Sequence, residues 1–301
     1  MLPGRRIPEI MPLIDFILNI ACLLLWLNWL AINFDPMARA TAATLIGTLK
    51  KADPAGARRW KFLIGLVALL YFRALIYWQV GSSVSWTPSL QMGPIVLSFR
   101  SDIFPRMLLF SLLGFGLTLV FFYLWLLLFS IVNHHVPDSD PIQKLIRLHL
   151  RWLEPLPWVI RVFLPLVIVG LLWLSSYPLL TRLAIIPQAK SGAHLAEGAF
   201  IIGLGSYLAW KYLIAGMLLL HLFSSYIYVG KHPFWDFVNA TAGNLLRPFR
   251  WLPLHLGKLD LTPLVGIVFV LLIAEFCMKG LVVPHLFGVP GLTRLYQRLP
   301  W

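Results

Sequence analysis

Apolar residues in this chain gather into six long runs, separated by polar segments that carry proline. The runs cover 13–32, 62–80, 107–132, 159–180, 199–229 and 264–283. A helix rises about 1.5 Å per residue, so roughly 20 apolar residues cross a hydrocarbon layer of about 30 Å. Each run is close to that length or longer. The pattern predicts an all-α fold: a polytopic membrane protein of about six transmembrane helices. The third and fifth runs exceed the need and are expected to tilt, kink or emerge into the interface. No run shows the mid-helix break that transport sites use, since Pro165 lies near an end.

The segments between the runs share a layout. A polar exit follows an apolar run at Trp26-Leu27-Asn28, Leu128-Phe129-Ser130 and Leu222-Phe223-Ser224. An X-Pro step comes next, at Asp35-Pro36, Asp140-Pro141 and His232-Pro233. Proline lacks a donor and fits the first turn of a helix, and the residue before it can cap that turn. Each step is therefore expected to leave the membrane and start a new, amphipathic helix. Phe234, Phe237, Val238, Thr241 and Leu245 share one helical face, as do Ile142, Leu145, Ile146 and Leu153. Lys144, Arg147 and Arg151 form a basic stripe beside the second set. Such helices are expected at the interface, apolar side down and cations toward the headgroups. The layout divides the chain into three helix-pair units, 1–95, 96–195 and 196–301.

Composition agrees with lipid as the solvent. Hydrophobic residues make up 59% and charged ones 12%, with a mean hydropathy of +0.80; a soluble domain is far more charged. The net charge of +13 is read as topology, not nucleic-acid binding, because the cations sit between the runs. Loops after the odd-numbered runs hold Arg39, Lys50, Lys51, Arg58, Arg59 and Lys61, then Lys144, Arg147, Arg151 and Arg161, then Lys231, Arg247, Arg250 and Lys258. The opposite side holds fewer: Arg5, Arg6, Arg100, Arg106, Arg182, Lys190, Arg294 and Arg298. The bias puts the three basic loops in the cytoplasm, facing anionic headgroups, and both termini outside. No cleavage site follows the first run, which is expected to stay as a helix. Cys22 and Cys277 fall in runs and are expected to pack as thiols.

At these steps the chain resembles the YggT (YlmG) family of small membrane proteins. That family joins two membrane helices by a loop with an Asn-Pro or Asp-Pro step, a Leu-Leu-Arg-Pro-x-Arg run and a Gly-Leu-Asp-Leu-Ser-Pro lead-in. The third unit carries His232-Pro233, Leu245-Leu246-Arg247-Pro248-Phe249-Arg250 and Gly257-Lys258-Leu259-Asp260-Leu261-Thr262-Pro263. The first has Asp35-Pro36 and Asp53-Pro54, the second Asp140-Pro141 and Glu154-Pro155, both without the lead-in. The likeness is specific over roughly 218–276. It implies a non-enzymatic factor of the cell inner membrane that organises the envelope or assembles membrane complexes, with cytochrome b haem among the links in relatives.

Candidate chemistry centres on ionisable residues inside runs, which are costly in hydrocarbon. Lys211, Glu275 and Arg73 are such residues. A depth count along antiparallel runs brings Lys211 and Glu275 within reach, so an ion pair is expected there. Arg73, with Gln79, joins that polar core or snorkels. His221, inside the fifth run, is the one candidate axial ligand for haem b, which otherwise needs a second ligand on a facing helix; no cofactor or metal is expected, and His134-His135 lacks further ligands at zinc spacing. Asp15 with Asn19 and Asn28 lies near the outer interface, where a solvated carboxylate is unremarkable. Gly203-Leu204-Gly205 and the Gly114–Gly116 pair are read as close-packing positions, the former at a helix start. HExxH, Gly-x-Ser-x-Gly, Walker and GxGxxG motifs are absent. The chain is expected not to be an enzyme. Its partners are expected to be anionic lipid and a membrane protein. The alternative is a small-solute or ion channel or transporter.

Overall fold

A computed structural model describes residues 7–31, 55–84, 86–135, 141–150, 153, 156–227, 230, 232–249, 255–256, 259–283 and 287–299. Among the described residues, six helices are long and apolar enough to cross a membrane: Met11–Leu30, Trp60–Ser83, Phe104–Val132, Trp158–Arg182, Gly192–Tyr226 and Thr262–Lys279. Each of the six apolar runs corresponds to one of them. In their apolar windows only 6% to 39% of residues are buried inside the protein. The rest turn leucine, phenylalanine and valine outward, the arrangement expected of a chain whose solvent is lipid. The chain is an all-α, multi-pass membrane protein. The sixth helix stops at Lys279 instead of running to 283, because Gly280 adopts φ +77° and opens a strand.

Two compact units divide the chain, 1–90 with 98–119, and 91–97 with 120–301. This division follows packing and differs from the sequence units at 1–95, 96–195 and 196–301. The first unit holds α1 (Ile7–Ala31), α2 (Ala55–Val84) and the first half of α3 (Phe104–Val132). Its core is Cys22, Leu66, Leu70 and Phe115, flanked by Leu25, Trp26, Leu69 and Leu119. An aromatic cluster lies beyond it. Tyr77 meets Trp86 edge-on at 5.2 Å, and Phe110 meets Phe99 at 5.4 Å and Trp86 at 6.2 Å. The Ser111 hydroxyl donates to the Leu70 carbonyl at 2.9 Å and ties α3 to α2.

The second unit contains α4 (Pro141–His149), α5 (Trp158–Arg182), α6 (Gly192–Gly205), α7 (Trp210–Tyr226), α8 (Pro233–Leu245), α9 (Thr262–Lys279) and the short α10 (Leu292–Gln297). A 3-10 turn, Ser206–Ala209, joins α6 to α7, and both flanking residues keep helical dihedrals. The fifth span therefore tightens in its middle without unwinding. Gly203 and Gly205 sit at the end of α6, not at a helix start. They do serve close packing. A Cβ on Gly203 would meet the Leu166 carbonyl oxygen at 2.5 Å, and one on Gly205 would meet Pro94 Cδ at 2.6 Å. Pro94 follows Gly93, whose φ of +58° lies in the left-handed region that favours glycine, in the turn between β1 (Ser89–Met92) and β2 (Ile95–Ser98). Reciprocal indole bonds lock α3 to this region: Trp210 donates to the Leu124 carbonyl at 3.0 Å and Trp125 to the Ala209 carbonyl at 3.2 Å. Two further hairpins, His255–Leu256 with Leu259–Asp260 and Gly280–Val283 with Phe287–Pro290, flank α9.

The amphipathic helices pack on protein. Phe237, Val238 and Thr241 of α8 are buried as the periodicity predicts, with Ala242 added, whereas Phe234 is exposed. In α4 the buried set is Gln143, Ile146 and, just beyond, Leu150, while Leu145 faces out. This corrects the predicted face, which included Leu145. The cause is polar: Gln143 Nε2 donates to the Asn133 carbonyl at 3.4 Å, rotating α4 so that Gln143 goes inward. Asn133 Nδ2 in turn donates to Thr241 Oγ1 at 2.8 Å, and Asn244 Nδ2 donates to Asn133 Oδ1 at 3.0 Å. Of the X-Pro steps, His232-Pro233 starts α8 as expected, with His232 Nδ1 accepting from the Phe234 amide at 3.2 Å. Pro141 opens α4, while Asp35, Pro36 and Asp140 lie outside the described residues.

Gly203 supplies a test of close packing between α5 and α6. Gly203→Ala pushes a methyl onto Leu166 backbone, which cannot yield as a side-chain end does. It is expected to cost about 1–3 kcal/mol, read as a lower thermal midpoint in detergent. Gly216→Ala is the control, since nothing lies within 4 Å of its Cβ position. That variant should unfold no earlier than the parent.

Candidate functional site

The one fully buried cation among the described residues is Arg73, and it sits in a built site within the first unit. Helix geometry puts residues four apart on one face. α1 thereby presents Asp15 and Asn19 together, and α2 presents Arg73 and Tyr77. Arg73 Nη2 donates to Asp15 Oδ1 at 2.5 Å and Nη1 donates to Asn19 Oδ1 at 2.7 Å. The Tyr77 hydroxyl donates to the same Asp15 oxygen at 2.9 Å. Asn19 Nδ2 donates to the other, Oδ2, at 3.2 Å. Both carboxylate oxygens are thus engaged. The Arg73 side chain has no exposure and that of Asp15 is 20% exposed.

Aromatic and small residues complete the pocket around the guanidinium. Its carbon lies 5.5 Å from the Tyr77 ring centroid and 5.9 Å from that of Phe110, a range in which ring quadrupoles attract a cation. Gly114 of α3 makes the room: a Cβ there would come to 3.0 Å of Nη2. Gly116, by contrast, has nothing within 4 Å of its Cβ position, so only one member of that glycine pair packs closely. Arg73 Nε is buried without a hydrogen-bond partner. The site pairs a fully buried guanidinium with a largely buried carboxylate. Breaking such a pair by removing one member leaves an uncompensated buried charge, which costs far more than replacing both.

The other sequence candidates fall elsewhere. Lys211 and Glu275 are not bonded to each other. Glu275 Oε1 pairs with Lys279 Nζ at 2.5 Å, one turn along α9. Lys211 Nζ lies 4.8 Å from the ring centroid of its neighbour Tyr212, though within electrostatic reach of Glu275. The expectation failed because α9 ends at Lys279, which leaves Glu275 one turn from an exposed helix end with a lysine at the ideal i,i+4 spacing. Arg73 belongs with Asp15, and Gln79 is exposed. His221 Nδ1 lies 2.8 Å from Asn239 Oδ1, which also accepts from Ser224 Oγ at 2.7 Å. This imidazole joins α7 to α8. The His134 and His135 rings lie 3.5 Å apart, tilted at 42°, in the exposed turn just past α3. No group of three or more His, Cys, Asp or Glu that could hold a metal occurs among the described residues.

The motif residues of the third unit act as helix punctuation. Asp260 Oδ1 accepts from the Thr262 amide at 2.9 Å, and Pro263 occupies the first turn of α9. Arg247 and Pro248 form an exposed 3-10 turn after α8. Arg250 lies outside the described residues. Asp15 and Asn19, read from the sequence as a solvated group at the outer interface, are instead the partners of Arg73, and Tyr77 was not singled out at all. Their signal was two polar pairs at i,i+4, one on each of two successive antiparallel runs, where a turn of one faces a turn of the other.

Comparison of the chain with protein-family models, with curated proteins and with solved structures finds no match.

A double-mutant cycle measures the site. Arg73→Met alone should destabilise the protein by about 3–5 kcal/mol, while Asp15→Leu combined with Arg73→Met should recover most of that loss. Equal losses in the single and double variants, by denaturant titration in mixed micelles, would show that the pair does not hold the helices.

Proposed function

We propose that this chain is a non-enzymatic organising or assembly factor of the cell inner membrane, built from three helix-pair units of the YggT type. The observation that carries the proposal is the state of Arg73. A transport path needs its intramembrane charges to meet water or cargo, whereas here the carboxylate, amide and phenol occupy each other and the guanidinium. Such a network supports a fixed scaffold. The resemblance over the third unit and the motif roles of His232, Pro233, Asp260 and Pro263 support the same reading. The excess of cations after the odd-numbered spans supports a topology with basic loops on anionic headgroups in the cytoplasm and both termini outside.

One observation favours transport as a second reading. The fifth span carries a 3-10 turn at Ser206–Ala209, capped on one side by close glycines. Tight 3-10 segments inside helices often mark hinges, and a rocking half-helix is a device of carriers.

Purification in mild detergent separates these readings. The scaffold reading expects a membrane protein to co-elute reproducibly, identified by mass spectrometry, and an absorption spectrum without a Soret band. A Soret band would turn attention to His221 and haem. A partner-free protein that moves ions into proteoliposomes, and loses that with Gly205→Ala, would favour transport.

A further inference from the structure

The short helix α4 has two apolar faces, and only one of them is used inside the protein. Gln143, Ile146 and Leu150 are 1–2% exposed, against 54% for Leu145 and 38% for Leu148. The two outward leucines are three residues apart, so they stand side by side on the helix surface. Lys144 and Arg147, also three apart, run along one flank, with Lys144 exposed. Between residues 141 and 153 the sequence has Lys144, Arg147 and Arg151 and no acidic residue; Asp138, Asp140 and Glu154 flank it.

A hydrogen bond ties α4 to the end of the third span. The third span ends at Val132. The carbonyl that accepts from Gln143 belongs to Asn133, the next residue. The following span begins at Trp158, itself exposed, with Val159 and Ile160 exposed after it. Tryptophan at a span end is the usual marker of the headgroup level. Both ends of the segment are therefore anchored where hydrocarbon gives way to headgroups.

We infer that the outward face of α4 is a lipid-docking surface: Leu145 and Leu148 enter the acyl-chain boundary, and Lys144 and Arg147 bind the phosphates of anionic headgroups. Leucines on a helix held at that level gain contact with acyl chains that water does not offer, and cations beside them sit at phosphate height. The face read from periodicity held Leu145 together with Ile146 and Leu153; protein covers Ile146 and Leu153 and leaves Leu145 outward. The inference deepens the membrane-scaffold reading by naming the partner of this segment, and it stands on the spans, not on any protein partner.

Site-directed spin labelling of the full chain in nanodiscs tests it. Cys277→Ser removes the exposed thiol, and Cys22 is fully buried, so the Cys277→Ser chain gives the baseline. Leu145→Cys, Leu148→Cys and Lys144→Cys are then labelled singly in that background. The ratio of oxygen to nickel-chelate accessibility is expected to be at least about threefold higher at 145 and 148 than at 144, because a surface helix buries only its apolar side. Phosphatidylglycerol added to phosphatidylcholine should raise the ratio at 145 further, and Lys144→Gln with Arg147→Gln should abolish that increment. Labels at 145 and 148 as open to nickel chelate as at 144 would overturn the inference. So would labels shielded from both reagents, the sign of a protein covering this face, or a ratio indifferent to phosphatidylglycerol. A preparation with no co-purifying protein defeats the assembly role and leaves this measurement intact.

Discussion

Hydrocarbon offers no hydrogen bonds, and that single constraint orders the rest of this structure. A polar group in a span is costly unless the chain itself supplies a partner. The Arg73 site is the costly case, met by a carboxylate, an amide and two ring faces. The cheap cases follow the same rule. Ser82, Thr118, Ser175, Ser176, Thr181 and Ser206 each return a hydroxyl proton to a carbonyl three or four residues back in their own helix. Trp125 and Trp210 send their indole protons across to a neighbouring helix.

The same solvent changes what holds helices together. Lipid is as apolar as leucine, so burying leucine between spans gains little, and contact depends on backbones coming close. Glycine is placed accordingly. Gly170 lies against the Ala199 carbonyl, Gly203 against that of Leu166, and Gly266 against Leu218 and Leu246. Gly114 serves a different end, since it opens space for a guanidinium rather than for a helix. At the span ends, side-chain bonds add to this: Asn133, Thr241 and Asn244 fasten α8 to the end of α3, and His221 with Ser224, in the last turns of α7, fastens it to α7 through Asn239.

The legible parts of this fold were those set by local pattern. Apolar length gives all six spans, and the His232-Pro233 step with Asp260 before Pro263 gives the starts of α8 and α9. Periodicity gives most of the buried face of α8. It fails for α4, where apolar residues line both sides and a glutamine decides which goes inward. The candidate site was half visible. Arg73 stands out as an intramembrane charge, but its partner is 58 residues away. Asp15 near a run's end looks solvated until α2 is laid beside α1. Depth counting misled at Glu275 because one glycine, Gly280, ends the helix four residues before the apolar run ends.

The central claim is that lipid is this protein's solvent across six spans, and topology mapping tests it most directly. Reporters inserted one at a time into each segment between spans should alternate between the two sides of the membrane, with the segments after the first, third and fifth spans on the cytoplasmic side. Two consecutive segments reporting the same side would contradict the account, as would a chain that stays monodisperse in buffer without detergent.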